Sequence, residues 1–309
     1  MIRSLRVIKT PETDPYKNIA LEKYLTHHTR EGECILFLWQ NRRTVVIGRN
    51  QNAWLECDTE KLRSEGGFLA RRLSGGGAVF HDLGNLNYTF CVRRPDYDTD
   101  RHLLVVLDAV RKLGIPAEKS GRNDMTADGR KFSGSAFYES GEYRYHHGTL
   151  MIDVDTSQLD RYLKPSTLKL RSRGITSVRS RVVNLKEFCP GLTPDIMGVR
   201  LAEAFEEVYG QKAGELEADR LDQNEIRKEA AHFSSWEWNY GRRLPFTHQL
   251  AHRFCWGEIR LELYVNEGRI VSCSCSSDAM DGSRIEGVPD LLRGRCYDPE
   301  DILRVLETL

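Results

Sequence analysis

Apolar and polar positions along this chain predict an interleaving of helices with short strands. Asp14-Pro15 is an N-cap and first-turn pair, and Ala20, Leu21, Tyr24 and Leu25 then recur at helical spacing to about Thr29. Two β-branched and aromatic runs follow, Ile35 to Trp39 and Thr44 to Ile47, separated by Gln40 to Arg43. They read as a hairpin of buried strands that ends at Gly48. A strand over Phe68 to Arg72 enters a glycine run, and another over Leu86 to Val92 leaves it. Leu103, Leu104, Leu107, Val110 and Leu113 mark a helix that stops at Gly114 and Pro116. Asp128-Gly129 is a tight-turn dipeptide between Met125 and Phe132, and His146 to Val154 is a further strand, so the sheet is expected to be partly antiparallel.

Farther along, Thr193-Pro194 opens a helix through Leu201, Ala204, Phe205 and Val208 that stops at Gly210, and a second helix covers about Gln223 to His232. Ile259 to Val265 and Arg269 to Cys275 then alternate around Asn266-Glu267-Gly268 as a hairpin, and Asp298-Pro299 caps a last helix with Ile302, Leu303 and Leu306. The pattern predicts an α+β protein with mixed, partly antiparallel sheets over residues 1–242 and a small α+β unit over 249–309. Trp236-Glu237-Trp238-Asn239-Tyr240, just before that boundary, is expected to pack the seam between the two.

Composition narrows the class further. The 309 residues are 40% hydrophobic and 29% charged, as in ordinary globular proteins. Lys plus Arg number 45 and Asp plus Glu number 45, so no overall field draws in nucleic acid or an anionic membrane. Eight cysteines include no Cys-x-x-Cys pair, which argues against a zinc ribbon or a thioredoxin-type motif and reads as reduced, packed thiols. The N-terminus lacks a signal-peptide core and no apolar run approaches the ~18 residues of a membrane span, so a cytoplasmic protein is expected.

Three clusters carry candidate chemistry. In Arg71-Arg72-Leu73-Ser74-Gly75-Gly76-Gly77-Ala78-Val79-Phe80-His81-Asp82, three glycines allow backbone N–H groups to approach an anion, and Arg72 could fork onto phosphate or carboxylate oxygens. The run has neither the Gly-Lys-Ser/Thr of a Walker A loop nor the dinucleotide spacing, which leaves a nucleotide or acyl-anion loop of another kind, or a plain glycine-rich hairpin loop. Asp124 and Lys131 flank the Asp128-Gly129 turn and can meet on one face; taken alone they also fit a surface ion pair. His146 and His147 are adjacent on a strand and so point to opposite faces, which argues against a zinc site. The acid-free stretch through Gly174-Ile175-Thr176-Ser177-Val178-Arg179-Ser180 is dense in hydroxyls and cations, fitting a phosphate-closing loop or a solvated basic face.

The segments RRLSGGGAVFHDLGNLNYTF, GRNDMTADGRKFSGSAFY, YHHGTLMIDVD, LKLRSRGITSVRSRVVNL and SSWEWNYG, in this order, resemble the lipoate-protein ligase A family, and DPYKNIALE, FLWQNRRTVVIGRNQN and RFCWGEIRLELYV fit the same pattern across nearly the whole chain. The resemblance implies a catalytic domain of the biotin/lipoate ligase type followed by a small accessory domain. It implies ATP-dependent activation of lipoate to lipoyl-AMP with release of pyrophosphate, and transfer of the lipoyl group to one lysine of a lipoyl domain. Acceptors in the family are acyltransferase subunits of 2-oxoacid dehydrogenase complexes and the glycine-cleavage H protein. ATP and substrate-side Mg2+ are the implied cofactors.

Carried over by motif, Lys131 of the RK-x-SG element is expected to touch the lipoyl carbonyl and the α-phosphate. Arg72 and the backbone of Gly77, Ala78, Val79 and Phe80 are expected along the nucleotide, with the GITSVRSRV segment, including Arg179, closing over the adenylate. Ser74, His81, Asp124, His147 and Thr149 are further pocket candidates, and Asp124 is the carboxylate placed to orient the acceptor lysine or take its proton. Phe37, Trp39, Val45 and Val79 are expected to line an apolar slot for the acyl tail. Two rivals stand beside this reading. One is a lipoyl or octanoyl transferase that uses a pre-activated donor without its own activation step; a covalent relay is disfavoured because no cysteine lies between Cys91 and Cys189. The other is a nonenzymatic RNA-binding protein using the basic segment, which a zero net charge and the lack of a recognised nucleic-acid module argue against.

Overall fold

The run ECILFLW has no polar alternation, which suits a strand covered on both faces. In the computed structural model, which describes residues 1–121, 123–164, 181–240, 248–266 and 269–309, it forms β2 (Glu33–Trp39), buried almost throughout. β2 belongs to an eight-stranded sheet ordered β11 (Ala213–Glu215), β1 (Ser4–Lys9), β2, β6 (Asn85–Arg93), β10 (Tyr143–Met151), β9 (Arg130–Ser140), β8 (Asp124–Ala127) and β7 (Ala117–Ser120). β1 runs parallel to both its neighbours and every other pairing is antiparallel. A second sheet takes β4 (Phe68–Arg71), β3 (Thr44–Ile47) and β5 (Val79–His81), with β3 parallel to β4 and antiparallel to β5.

The expected hairpin of Ile35 to Trp39 with Thr44 to Ile47 does not form. β2 pairs with β1 and β6, whereas β3 pairs with β4 and β5, and the intervening residues carry the chain from one sheet to the other. Both edges of each strand are occupied by distant partners, and Gln40 to Arg43 contains no Asn-Gly-type turn to oppose that outcome.

Residues alternate between the faces of β2. Cys34, Leu36 and Leu38 join the core beneath α4 (Thr99–Arg111) and α6 (Pro194–Tyr209), while Ile35, Phe37 and Trp39 join the core beneath α1 (Pro15–His28) and α7 (Gln223–Ser234). The short helices α2 (Ala53–Glu56), α3 (Thr59–Ser64) and α5 (Ser157–Tyr162) supply Ala53, Leu62, Leu159 and Tyr162 to a third core against Val45, Ile47 and Phe80. The predicted caps are present: Asp14 accepts from the N–H groups of Tyr16 and Lys17, Thr193 from Ile196, and Asp298 from Glu300 and Asp301. Gly210 closes α6 in the left-handed region at φ 69°.

Trp236 to Tyr240 forms α8, and the contacts described for Trp238 and Asn239 lie within the large unit. Trp238 stacks its edge on Phe233 and donates from Nε1 to the Arg71 carbonyl at 2.9 Å, and Asn239 Oδ1 accepts from the Arg71 N–H at 2.9 Å. The expected boundary at 242–249 falls mostly on residues 241–247, outside the described residues, as do Glu267 and Gly268 of the second hairpin turn. From His248 onward β12 (His248–Phe254), β13 (Gly257–Asn266) and β14 (Arg269–Ser277) make an antiparallel sheet. Against it pack α10 (Val288–Leu292) and α11 (Pro299–Glu307), preceded by α9 (Gly282–Glu286). This small unit docks on the large one: Ser277 N–H donates to the Asn50 carbonyl at 2.7 Å, and Arg49 pairs with Glu286 at 2.8 Å. All eight cysteines are free thiols. Among the described residues no helix is long and apolar enough to cross a membrane.

Candidate active site

The glycine run bridges β4 and β5 and lies where the two units meet. Gly76 N–H donates to the Ala279 carbonyl at 2.8 Å. A Cβ on Gly75 would stand 2.2 Å from the same oxygen, so only glycine permits this approach. Gly76 has φ 91°, a conformation costly for any other residue. The loop is braced from within by Arg72, whose guanidinium donates to the carbonyls of Gly75 at 2.7 Å, Gly77 at 2.8 Å and Val46 at 3.2 Å, and to Ser74 Oγ at 3.0 Å. Burial pulls the Arg72 pKa down to about 10, which still leaves it charged at neutral pH.

Among the described residues no carboxylate touches Arg72 directly. Ser74 Oγ lies 2.8 Å from His147 Nε2, and His147 Nδ1 lies 2.8 Å from Glu22 Oε1, which also accepts from Thr89 at 2.7 Å. Arg72 and Glu22 are thus linked through a buried chain of two polar side chains. His147 reaches it because alternate residues of β10 face opposite sides: His147 points toward α1, and His146 points into the core on the α4 side, where it stacks on His102. Burial pushes the His146 pKa down to about 3. The two histidines therefore sit on opposite faces, as their adjacency requires.

Across the cavity, β8 and β9 bring Asp124 and Lys131 together. Their register shifts at Met125/Thr126, which sets Asp124 opposite Gly134 and Thr126 opposite Lys131. Lys131 Nζ then lies 2.7 Å from Asp124 Oδ1, in the space that a Gly134 side chain would fill: a Cβ there would stand 2.6 Å from Nζ. Arg181 pairs with the other oxygen, Asp124 Oδ2. Both carboxylate oxygens thus face cations, and Asp124 holds two positive groups at the mouth of the cavity. Thr149 Oγ1 contacts the Gly134 N–H at 3.4 Å.

These elements surround one cavity of about 780 Å³. Lys131, Asp124, Arg72, Gly77, Ala78, Val79, Phe80, His81, His147 and Thr149 all line it. Ser74 stands just behind, bonded to Arg72 and His147. Arg179 and the GITSVRS segment lie outside the described residues. Two expected lining residues, Phe37 and Val45, do not line the cavity. Phe37 is fully buried behind Trp39, stacked on it at 5.8 Å, and only Trp39 reaches the cavity. Val45 faces the third core, and its neighbour Val46 lines the cavity instead. Val45 was misplaced because β3 is buried on two faces, where hydrophobicity alone does not say which residue faces the ligand side, whereas Phe37 shares its face with Trp39, which screens it from the cavity.

Several contributors were not anticipated. Arg181 belongs to the GITSVRSRV segment expected to close over the adenylate, but its pairing with Asp124 was not foreseen. Glu22 sits inside α1, read above only by its apolar positions; a carboxylate directly beside the helix's apolar Ala20, Leu21 and Leu25 is the signal that could have found it. Arg253, Cys255, Trp256 and Met280 enter from the small unit. Cys255 thereby places a thiol at the cavity from a part of the chain beyond the Cys91-to-Cys189 interval.

A cavity lined by two lysines and four arginines beside a glycine loop, with an apolar wall of Trp39, Val46 and Val79, is built for an anionic ligand with an apolar part. The lipoyl protein ligase A/B catalytic domain profile matches residues 14–206, and the bacterial lipoate protein ligase C-terminus profile matches residues 244–309. This chain belongs to the lipoyl protein ligase A/B family. It is similar to a protein named lipoate-protein ligase A from Psychrobacter cryohalolentis, 40% identical over 306 residues that cover 96% of this chain and 90% of that one. Among solved structures, P. falciparum LipL1 in complex with lipoate superposes with a TM-score of 0.84 at 29% identity, covering 99% of this chain and 95% of that one. A lipoate-protein ligase A bound with ATP superposes at 0.68 and 26% identity over 78% of this chain and 99% of that one. The Thermoplasma acidophilum bi-partite lipoate protein ligase, described with its E2 lipoyl domain, superposes at 0.69 and 27% identity over 80% of this chain and 100% of that one.

Proposed function

We propose that this chain is an ATP-dependent lipoate-protein ligase, with a catalytic unit over 1–242 and an accessory unit over 249–309. The observation that carries the reading is Lys131, held 2.7 Å from Asp124 in the same cavity as the glycine loop. Relatives whose solved structures hold lipoate and ATP support it.

In the first half-reaction the lipoate carboxylate bonds to the α-phosphorus of ATP as the bond to pyrophosphate breaks, giving lipoyl-AMP. Negative charge gathers on the phosphate oxygens, so fixed cations and oriented backbone dipoles matter more than a base. Lys131 supplies a compact charge, Arg181 a second one, and the backbone of Gly77 to Phe80 lies along the nucleotide. Mg2+ enters with the polyphosphate; among the described residues no group of three His, Cys, Asp or Glu side chains could hold it unaided. In the second half-reaction a neutral lysine amine of an apo lipoyl domain attacks the acyl carbon and AMP leaves. Asp124 orients that amine or receives its proton once Lys131 and Arg181 engage the adenylate. The acceptors are acyltransferase subunits of 2-oxoacid dehydrogenase complexes and the glycine-cleavage H protein, and the working compartment is the cytoplasm.

Lipoate-dependent ATP–pyrophosphate exchange tests this reading. Exchange in the native protein and its loss in Lys131→Ala are expected. Absence of exchange, with lipoyl transfer from supplied lipoyl-AMP intact, would assign a transferase that relies on another enzyme for activation.

A further inference from the structure

His81 ends β5, lines the cavity and is 3% exposed. Its Nδ1 lies 3.2 Å from Asn41 Nδ2, while its Nε2 is buried and meets no partner among the described residues. The side chains behind the ring determine which nitrogen carries the proton. Asn18 Nδ2 stands 3.1 Å from the Glu12 carbonyl, 2.8 Å from the Gln40 carbonyl and 3.0 Å from Asn41 Oδ1. An atom ringed by oxygens is the amide nitrogen of Asn18, so Asn41 must turn its oxygen to Asn18 and its NH2 to His81. His81 Nδ1 is therefore an acceptor. Burial, aided by Arg72 and His147, pulls the ring pKa down to about 3, so at pH 7 the single proton of the neutral ring sits on Nε2. The cavity wall thus holds a buried N–H donor that none of the described residues satisfies.

The exposure of the cavity wall tells which part of a ligand reaches it. Lys131 and Asp124 side chains are 26 and 21% exposed, whereas Trp39 is 4% and Asn87 1%. An acyl chain whose carboxylate lies at Lys131 carries its far end inward, toward Trp39 and His81. In lipoate that end is a 1,2-dithiolane, whose sulfurs are weak hydrogen-bond acceptors; in octanoate it is plain alkyl. Apolar burial alone separates tails of similar size poorly, but a buried donor left unmatched penalises the tail without an acceptor. We propose that His81 is the specificity-determining residue for the acyl tail, donating from Nε2–H to a dithiolane sulfur and so favouring sulfur-bearing acids over fatty acids of similar length. The proposal rests on the lipoate-activating reading above.

The test compares kcat/KM for lipoate and octanoate in ATP–pyrophosphate exchange by the native protein, His81→Phe and His81→Gln. The native protein is expected to prefer lipoate, and His81→Phe to lower the lipoate-to-octanoate ratio about five- to tenfold. His81→Gln, whose side-chain NH2 reaches the place of Nε2, is expected to restore most of that ratio. An unchanged ratio in His81→Phe, or equal loss on both acids that Gln does not repair, would overturn the proposal and leave a packing role. Proton–nitrogen NMR of the native histidine rings provides a second measurement that needs no variant to fold. An Nε2–H tautomer at pH 7, whose signals move with lipoate but not with octanoate, is expected; the opposite tautomer, or equal response to both, refutes it. Should neither acid support exchange, the activating function falls, and the ring titration still decides whether His81 reads the dithiolane.

Discussion

At the mouth of the cavity, Lys131, Asp124 and Arg181 carry side chains that are 26, 21 and 29% exposed. Behind the glycine loop, Arg72, Ser74, His147 and Glu22 are 6, 1, 8 and 0% exposed. The two groups use the same ionic chemistry under different dielectric conditions. Water screens the first, so exchanging Asp124 for a phosphate changes its energy little and the cations remain available to a substrate. The second is sealed, each member bonded to the next, and removing one strands a charge that nothing else compensates. One cluster is arranged to be rearranged, the other to stay in place.

The sharpest way to break that contrast is Glu22→Leu, which deprives His147 and Thr89 of their acceptor and leaves Arg72 buried without its linked carboxylate. A loss of about 3–5 kcal/mol in denaturant unfolding is expected; a loss below ~1 kcal/mol would show that the buried chain is dispensable. Lys131→Ala acts in the opposite sense: adenylation is expected to fall about 10²–10³-fold while the unfolding midpoint hardly moves. Gly134→Ala sharpens the point, because its new methyl group would occupy the place of the Lys131 ammonium. Exchange activity is expected to fall about tenfold with stability held within ~1 kcal/mol, the end of a flexible side chain being easy to displace.

The most gradual effect is one of pH on the other face of β10. His146 is buried with no carboxylate partner among the described residues, and its folded pKa of about 3 lies below the ~6.5 of an unfolded histidine. Its stabilising contribution is complete above pH 6.5 and fades as pH falls toward 3, because the unfolded chain binds the proton first. Unfolding free energy should drop by about 1.4 kcal/mol per pH unit for this ring between pH 6 and 4. A slope unchanged in His146→Leu would refute that assignment.

Much of this was legible in the sequence because it is local. Asp14, Thr193 and Asp298 cap helices through N–H groups two or three residues away, and the Asp128-Gly129 turn alone suffices to bring β8 beside β9. The glycine loop and Lys131 were legible through the motif resemblance. What escaped depends on distant partners. Which edges β2 and β3 offer, and hence whether Val45 or Val46 faces the cavity, is decided by strands thirty or more residues away. Arg181 and Glu22 gain their roles from contacts 57 and 125 positions along the chain, with Asp124 and His147.

Asn18, Glu22 and Thr26 recur every four residues along α1, all buried and all turned to the sheet, where they meet Asn41, His147 with Thr89, and Cys91. The helix works as a ruler: its rise of ~6 Å per four residues sets the spacing at which donors and acceptors are presented to the strands. One tooth fixes the His81 tautomer through Asn41, and the next anchors His147. None of the three lines the cavity, so the chemical character of the pocket is written on an element that a ligand never touches. A slip of α1 by a single residue would swing every tooth by ~100° and erase both settings together.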